Sequence, residues 1–500
     1  MPDLDQKLYQ LIVSRLDGDK LSSKPYQERA VGLVRKGIGG FILFGGKKDE
    51  VRDFINKLQS ISKIPLLIAS DIERGAGQQI EGATGFPCQM AAAAAIDKTG
   101  NDNGLILEKM VKAIADEAAD IGINMPLVPV MDVNQNPDNP IICTRAFSDN
   151  PEDVAWYGRK YIKALEDEGL ISCAKHFPGH GDTAVDSHIS LPVIGKSMRD
   201  LMDVDVFPFK ESINAGVSSI MIGHLSIPEI DPLPASLSKK IITGLLRREL
   251  GFEGLVLTDA LNMHALNEFE NVPSKCIDAG ADIILHPADA DAAAEELQHG
   301  IASGEVDEVK IDAAVERIMK FKAGIKNIQK AEVNYKMHAE LSAEISGKSI
   351  TCVKDTPGLL PIEDIQNISL MFTGDEHEFD ITHLENIVSG KDNILNVKEL
   401  DVNKALLKET VIVSLFTNIA AWKGSSGIRN EEIDAINELI GTSKKIIVIS
   451  FGSPYVLRHF NDADVLIAAY DSSGQAQLAV IECLKGDKSF QGRLPVRLVQ

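Results

Sequence analysis

The chain has few cysteines, and their spacing excludes two kinds of site. Its 500 residues include only six cysteines, and no two of them form a Cys-x-x-Cys pair. Structural zinc sites and disulfide frameworks both need closely spaced or paired cysteines. We therefore expect reduced thiols, most of them in the core, as in a cytoplasmic protein. The cysteines are Cys88, Cys143, Cys173, Cys276, Cys352 and Cys483.

Positive charge and long apolar runs are also scarce. The 51 lysines and arginines stand against 73 aspartates and glutamates, which gives a formal net charge of −22. Nucleic acids and anionic membrane surfaces repel a chain of this sign, so we expect neither as a partner. No apolar run reaches membrane-spanning length, and the acidic N-terminal stretch lacks the apolar segment of a secretion signal. These absences predict a cytoplasmic protein.

The glycine patterns of nucleotide-binding loops are missing as well. Gly75 and Gly77 lack a third glycine at the required spacing, and the pair Gly46-Lys47 has no glycine at position 41. We therefore predict no nucleotide cofactor, and indeed no cofactor of any kind. This absence also disfavours a doubly wound open sheet, which is the alternative to the fold described next.

Short apolar runs alternate with longer helical patterns over the first 330 residues or so. Such alternation is typical of parallel βα units, and eight of them fit an α/β fold of the TIM type, a (β/α)8 barrel. The first run is interrupted by polar residues, so that a helix explains it almost as well. The runs cover residues 11–16, 40–44, 65–69, 127–131, 170–174, 218–222, 254–258 and 281–285.

A polar stretch, NIQKAEVNYKMHAE, follows a helical segment at 307–326 and predicts a domain boundary. We predict a barrel domain over residues 1–334 and a second, smaller α/β domain over residues 335–500. Four apolar runs in the second domain predict strands at 368–373, 410–415, 445–450 and 465–470.

One polar loop concentrates most of the candidate chemistry. Residues 175–192 read KHFPGHGDTAVDSHISLP and directly follow the apolar run at 170–174. Asp186 precedes His188 by two positions, close enough for the carboxylate to orient the imidazole and stabilise its charged form. The pair therefore predicts a catalytic dyad. The alternative is a loop that only forms hydrogen bonds within itself.

Further polar residues come directly after predicted strands, where the catalytic groups of TIM barrels lie. Two chemistries fit them. Histidines and acidic residues could bind a metal that activates water. Alternatively, Asp259 attacks an electrophilic carbon while the Asp186–His188 pair transfers the proton, as in retaining glycoside hydrolysis. Arg145 could meet an anionic or hydroxyl-rich ligand, or form an ordinary ion pair. The residues after the strands are Asp71, Asp132, Lys175, His176, His224, Asp259 and His286.

The motifs resemble those of the family 3 glycoside hydrolases, in particular the branch of β-N-acetylglucosaminidases. The matching pieces include SDIERG, AKHFPGHGDTAVDSHISLP, IMIGHLSIPEIDPLPASLS and RRELGFEGLVLTDALNM, and SFGSPYVL and GRLPV match the C-terminal α/β sandwich domain of the longer members. One departure is the sequence after Asp71. Many single-domain members read DxEGGR there, whereas this chain reads DIERGAG, so the resemblance implies nothing for the neighbouring contacts.

The resemblance implies a role for each matched residue. Asp259 would be the nucleophile and His188 the general acid and base, with Asp186 orienting His188. A second set would bind the sugar hydroxyls of the substrate. That set comprises Asp71, Arg145, Lys175, His176 and, less directly, His224.

The resemblance further implies a metal-independent enzyme that removes terminal N-acetylglucosamine from a small carbohydrate substrate such as a peptidoglycan fragment. A phosphorylase that uses phosphate as acceptor is the alternative in chemistry. A sugar-binding protein without turnover is the alternative from another class. Nothing in the sequence specifies an oligomeric state.

Overall fold

The computed structural model describes residues 3–98, 103–187, 189–325, 332–374, 379–400, 407–417, 419, 423–442 and 444–498. The chain divides into two compact units. The first comprises Met1–Phe86, Leu107–Val133 and Asn150–Ala339. The second comprises Pro87–Ile106, Asn134–Asp149 and Glu340–Gln500. The domain boundary between residues 334 and 335 stays a prediction, and part of the polar stretch on which it rests lies outside the described residues.

The first unit is built on parallel strands that each begin a βα repeat. Two sheets run in the orders β10-β1-β2-β3-β4 and β5-β6-β9. Parallel bridges between Val130 and Lys175 and between Leu257 and Ile283 join them. The eight strands therefore close into a ring, as predicted for a TIM-type barrel. They are β1 Ile12–Asp17, β2 Gly40–Phe44, β3 Leu67–Ser70, β4 Met125–Pro126, β5 Cys173–Phe177, β6 Ser219–Ile222, β9 Leu255–Thr258 and β10 Ile284–Leu285.

The strand positions follow the apolar runs, with three differences. β4, Met125–Pro126, lies just before the predicted run 127–131, in which Val130 pairs with Lys175 through an isolated bridge. β2 coincides with the predicted run, whereas β5 begins three residues later than expected and includes Lys175 and His176. These polar side chains belong to the strand because barrel strands carry functional groups at their carboxyl ends. A short antiparallel hairpin that the sequence did not predict follows β6. It pairs β7 Ser226–Ile227 with β8 Asp231–Pro234.

Helix boundaries in the first unit show the local signals that place them. Asn150 caps the helix Pro151–Asp167, because its Oδ1 accepts hydrogen bonds from the amides of Glu152 at 2.9 Å and Asp153 at 3.1 Å. Asp307 caps Glu308–Gly324 in the same way through the amide of Val309. The α-helices of this unit are Leu4–Gln10, Lys24–Lys36, Lys48–Ile61, Leu105–Ile121, Pro151–Asp167, Met198–Asp200, Phe207–Asn214, Val272–Ala279, Ala290–Ser303, Glu308–Gly324 and the start of Tyr335–Ser349.

Shorter elements complete the first unit. The described residues of this unit also form two π-helical segments, Leu201–Asp205 and Lys240–Glu249. Its 3-10 turns are Gly18–Lys20, Ala76–Gln78, Ala235–Leu237 and His264–Leu266. Within the described part of the chain, no helix has the length and apolarity needed to span a membrane.

The second unit contains a six-stranded sheet in the order β11-β16-β15-β14-β12-β13. Only β11 runs antiparallel to its neighbour. Alternate residues of β14 pack into two different cores, Val411 and Val413 in one and Ile412 in the other, so both faces of the sheet are covered. The strands are β11 Thr351–Asp355, β12 Ile368–Phe372, β13 Ile394–Asn396, β14 Thr410–Phe416, β15 Lys445–Phe451 and β16 Val465–Ala468.

Four of these strands match the predicted runs, and the edge strands β11 and β13 are additions. Two excursions of the chain from the barrel range pack into this unit: Met90 and Cys143 belong to the same core as Tyr455. The helices are Gln89–Ala94, the remainder of Tyr335–Ser349, Thr382–Glu385, Asn430–Ile440 and Gly474–Lys485, with 3-10 turns at Cys143–Arg145, Lys391–Asn393, Val397–Glu399 and Pro454–Phe460.

Candidate active site

A buried lysine links two carboxylates at the carboxyl ends of β3 and β5. Lys175 Nζ lies 2.7 Å from Asp71 Oδ1 and 2.7 Å from Glu73 Oε1. The side chains of Lys175 and Glu73 are 2% and 8% exposed, whereas that of Asp71 is 30% exposed. Asp71 is therefore the member of this cluster that a ligand reaches most easily. With one cation and two anions the cluster has a formal charge of −1, which favours a substrate whose reacting carbon becomes positive.

Asp132, after β4, accepts hydrogen bonds from two histidine residues. Its Oδ2 lies 2.8 Å from His176 Nδ1, and its Oδ1 accepts from the amides of His176 at 3.2 Å and His180 at 2.7 Å. Burial alone raises the pKa of Asp132, but the nearby His176 ring and these hydrogen bonds lower it overall. Asp132 is therefore a carboxylate, and His176 Nδ1 carries the hydrogen that it donates.

His180 is buried beside this carboxylate and contacts the polar loop. Its Nδ1 lies 2.7 Å from Thr183 Oγ1, and its Nε2 lies 3.1 Å from Ser187 Oγ. Burial, together with the His176 ring, lowers the pKa of His180 to about 4. The ring is therefore neutral near pH 7.

The predicted dyad is described only in part. Asp186 and Ser187 are buried, and His188 lies outside the described residues. The carbonyl oxygen of Asp186 accepts hydrogen bonds from the amides of Ile189 at 2.9 Å and Ser190 at 3.1 Å. These bonds turn the backbone back after Asp186.

Asp259 directly follows β9 and is half-buried. Its Oδ1 accepts a hydrogen bond from the amide of Ala260 at 2.8 Å. The carbonyl oxygen of Ala260 lies 3.3 Å from Nε2 of the fully buried His224, whose Nδ1 lies 2.9 Å from Ser236 Oγ. Because a carbonyl oxygen only accepts, His224 Nε2 donates to it. His224 thus supports the backbone that follows Asp259.

His286 lies at the carboxyl end of β10, where the sequence placed it. Its ring centroid is 5.7 Å from that of Phe44, and the Arg15 guanidinium lies 4.7 Å from the same Phe44 ring. Burial, with Arg15 nearby, lowers the pKa of His286 to about 4. Arg15 also forms a 2.6 Å ion pair with Asp17. His286, Phe44 and Arg15 thus pack together at this end of the barrel.

Arg145 belongs to the second unit, whereas the residues described above belong to the first. It ends a 3-10 turn in the excursion Asn134–Asp149, which belongs to the second unit. One guanidinium nitrogen donates to the carbonyl oxygen of Ile141 at 2.9 Å. Its predicted contact with substrate stays a prediction.

Among the described residues, no group of three or more histidine, cysteine, aspartate or glutamate side chains is arranged to hold a metal ion. Sequence reasoning placed Asp71, Lys175 and His176 together, and the structure brings Asp71 and Lys175 into contact. The sequence alone suggested no specific role for Glu73 or Asp132. A carboxylate two positions after Asp71, before a Gly-rich turn, was the available signal for Glu73.

Comparisons with known proteins show which family this chain resembles in sequence and fold. A model of the glycosyl hydrolase family 3 N-terminal domain matches residues 3–321. The β-hexosaminidase A of Pseudoalteromonas piscicida is 29% identical over 540 aligned residues, which cover 93% of this chain and 90% of that protein. A protein of Cellulomonas fimi named β-N-acetylglucosaminidase/β-glucosidase is 28% identical over 519 residues, again with 93% of this chain and 90% of its own length covered.

A solved structure extends the similarity over both units. The glycoside hydrolase family 3 β-N-acetylglucosaminidase from Paenibacillus sp. str. FPU-7 is 28% identical and superposes with a TM-score of 0.83. The match covers 100% of this chain and 99% of that one.

Proposed function

Because this chain belongs to family 3 of the glycosyl hydrolases and is a glycoside hydrolase, we propose that it is a retaining exo-β-N-acetylglucosaminidase. The observation that carries the proposal is the half-buried Asp259 at the end of β9, in a barrel whose other strand ends hold Asp71 and the Asp132–His176 pair. The relatives named for β-hexosaminidase or β-N-acetylglucosaminidase activity support the choice of sugar.

In the proposed mechanism Asp259 attacks the anomeric carbon and forms a covalent glycosyl-enzyme. His188 protonates the leaving oxygen in this step and then removes a proton from water in the second. Asp186 orients the His188 ring. A histidine suits this exchange because it adds no second anion beside the nucleophile and titrates near neutral pH.

We assign sugar binding to Asp71, Arg145, Lys175 and His176. The fully buried His224 contributes through the backbone after Asp259, which it supports. Asp71 is the most accessible member of its cluster and is placed to meet sugar hydroxyls, while Lys175 holds its carboxylate by an ion pair. Donation from His176 Nδ1 to Asp132 orients the ring, and we assign its Nε2 edge to a sugar hydroxyl. Hydrogen bonds that shorten in the transition state would lower the barrier.

We propose peptidoglycan fragments in the cytoplasm as the natural substrates. Phosphate is the alternative acceptor, because a neutral imidazole repels it less than a carboxylate would. Under that alternative the same intermediate would be intercepted by phosphate instead of water.

Release of 4-nitrophenol from its N-acetyl-β-glucosaminide and from its β-glucoside tests the proposal. We expect turnover selective for the acetamido sugar, unchanged by EDTA and lowered at least about 10⁴-fold in Asp259→Ala. The product in phosphate buffer, free sugar or sugar phosphate, identifies the acceptor. Turnover of neither sugar, or full activity in Asp259→Ala, contradicts the proposal.

A further inference from the structure

The His180 ring bridges two hydroxyl groups of the polar loop. Thr183 Oγ1 and Ser187 Oγ lie 2.7 and 3.1 Å from its two ring nitrogens. His180 is 1% exposed, Thr183 1% and Ser187 2%. In contrast, Ala184, Val185, Ile189 and Ser190 of the same loop are exposed. The contact between His180 and Ser187 is therefore a buried anchor in a loop whose residues 184–185 and 189–190 are exposed.

The hydrogen-bond pattern fixes the direction of each bond. Thr183 Oγ1 donates its hydrogen to the carbonyl oxygen of His180 at 3.1 Å. The hydroxyl oxygen must then accept from His180 Nδ1, so the neutral ring carries its hydrogen on Nδ1. Nε2 is left as an acceptor, and the Ser187 hydroxyl donates to it. The neutral ring thus holds Ser187 in one orientation.

The anchor is continuous with the barrel. The backbone amide of His180 donates to Asp132 Oδ1 at 2.7 Å, and the other oxygen of that carboxylate accepts from the His176 ring. The rings of His176 and His180 pack edge to face with centroids 5.9 Å apart. A displacement of His180 would therefore be resisted by both Asp132 and His176. The hydrogen bond from Ser187 Oγ to His180 Nε2 connects Ser187 to this network.

Ser187 stands between Asp186 and His188 in the sequence. We propose that His180 and Ser187 are positioning residues that fix the dyad segment of the loop, so that the acid reaches the leaving oxygen. This inference rests on the proposed function, in which His188 is the general acid. It assigns no chemistry to His180 itself. Its consequence is a loss of acid catalysis, without loss of the nucleophile, when the anchor is removed.

Leaving-group dependence measures that consequence. A 2,4-dinitrophenyl glycoside expels an acidic phenol that needs little protonation, whereas a phenyl glycoside depends on the general acid. The ratio kcat/KM reports the first irreversible step, in which the acid acts. Both N-acetyl-β-glucosaminides are compared for wild type, Ser187→Ala, Ser187→Thr and His180→Leu. Ser219→Ala is the matched control, since it removes a buried hydroxyl bonded to the carbonyl oxygen of Ser172 at the opposite end of the barrel.

We expect Ser187→Ala and His180→Leu to lower kcat/KM on the phenyl glycoside by about 10- to 100-fold, and on the dinitrophenyl glycoside by less than about threefold. Ser187→Thr keeps the hydroxyl and should restore most of the phenyl activity, while Ser219→Ala should change neither value. Equal losses on the two substrates, or no loss in Ser187→Ala, would overturn the inference while leaving the proposed function intact. A wild type without turnover of either glycoside would overturn both.

Discussion

Asp132→Asn is the substitution that tests the hydrogen-bond network most directly. The replacement has the same shape but loses the charge. Its remaining oxygen can still accept the amides of His176 and His180, which now reach Asp132 Oδ1. Its NH2 group replaces Oδ2 and faces the Nδ1–H of His176. Two donors cannot bond each other, so the His176 ring must move its hydrogen to Nε2.

The magnitudes follow from the bonds that change. All three charge-assisted hydrogen bonds to the carboxylate become neutral ones, so we expect the free energy of unfolding to fall by about 2 to 3 kcal/mol. Asp132→Ala removes all three bonds in a buried place and should cost about 3 to 5 kcal/mol. The Asp132→Asn substitution therefore changes the pattern of donors and acceptors that the His176 ring offers to the substrate. We therefore expect kcat/KM of Asp132→Asn to fall by about 100-fold.

Three measurements check this prediction. Urea denaturation gives the free energy of unfolding, hydrolysis of the 4-nitrophenyl sugar gives kcat/KM, and two-bond ¹H–¹⁵N NMR of His176 reports its tautomer. Asp355→Asn is the control, because Asp355 accepts backbone amides of Leu359 and Leu360 in the second unit. Asp132→Asn with wild-type kcat/KM, or with His176 still protonated on Nδ1, would refute the reasoning.

Two further predictions concern buried charges. Glu73→Gln weakens one of the two bonds that hold Lys175, so Asp71 binds the ammonium more strongly and sugar less; we expect KM to rise about 10-fold with kcat changed little, and an unchanged KM would contradict this role. Burial lowers the pKa of Lys322 to about 7 from 10.5. Between these pH values Lys322 is protonated in the unfolded chain but not in the folded one. The free energy of unfolding should therefore rise with pH, by at most about 5 kcal/mol. Denaturation curves of Lys322→Met from pH 6 to 9 should lack this rise.

Controls separate these effects from general damage. Glu50→Gln removes an exposed carboxylate and should leave KM unchanged. Lys322→Met also leaves the carbonyl oxygen of Gly39 without the donor it has at 2.7 Å, so the variant should be less stable than wild type at pH 9. The difference between wild type and variant should shrink as the pH falls. A parallel pH dependence in the two proteins would contradict the assignment to Lys322.

The barrel could be predicted because most of its strands are buried on both faces and therefore read as continuous apolar runs. Polar residues inside a strand hide its end, which is why β5 was placed too early and Lys175 and His176 were expected after it. The hairpin of β7 and β8 was missed because each of its strands is short and one contains prolines.

The site was predictable only as a set of candidates. Residue type and position after a strand single out Asp71 and Asp259, since carboxyl ends of barrel strands meet at one face. The bond between Asp132 and His176 joins residues 44 positions apart. Only the closed ring brings them together, and no local pattern encodes that pairing. The same holds for the membership of Arg145 in the second unit.

The chain crosses between the two units four times before its final passage at Ala339. A single cut there would keep 87–106 and 134–149 with the barrel but remove the core in which Met90 and Cys143 are buried. A truncated barrel would then display apolar surface and would tend to aggregate. Gene fusion or fragment complementation would therefore succeed only with both units present. For an evolving lineage, the second unit is difficult to lose in one step, because two segments of the barrel's own sequence range depend on it for burial.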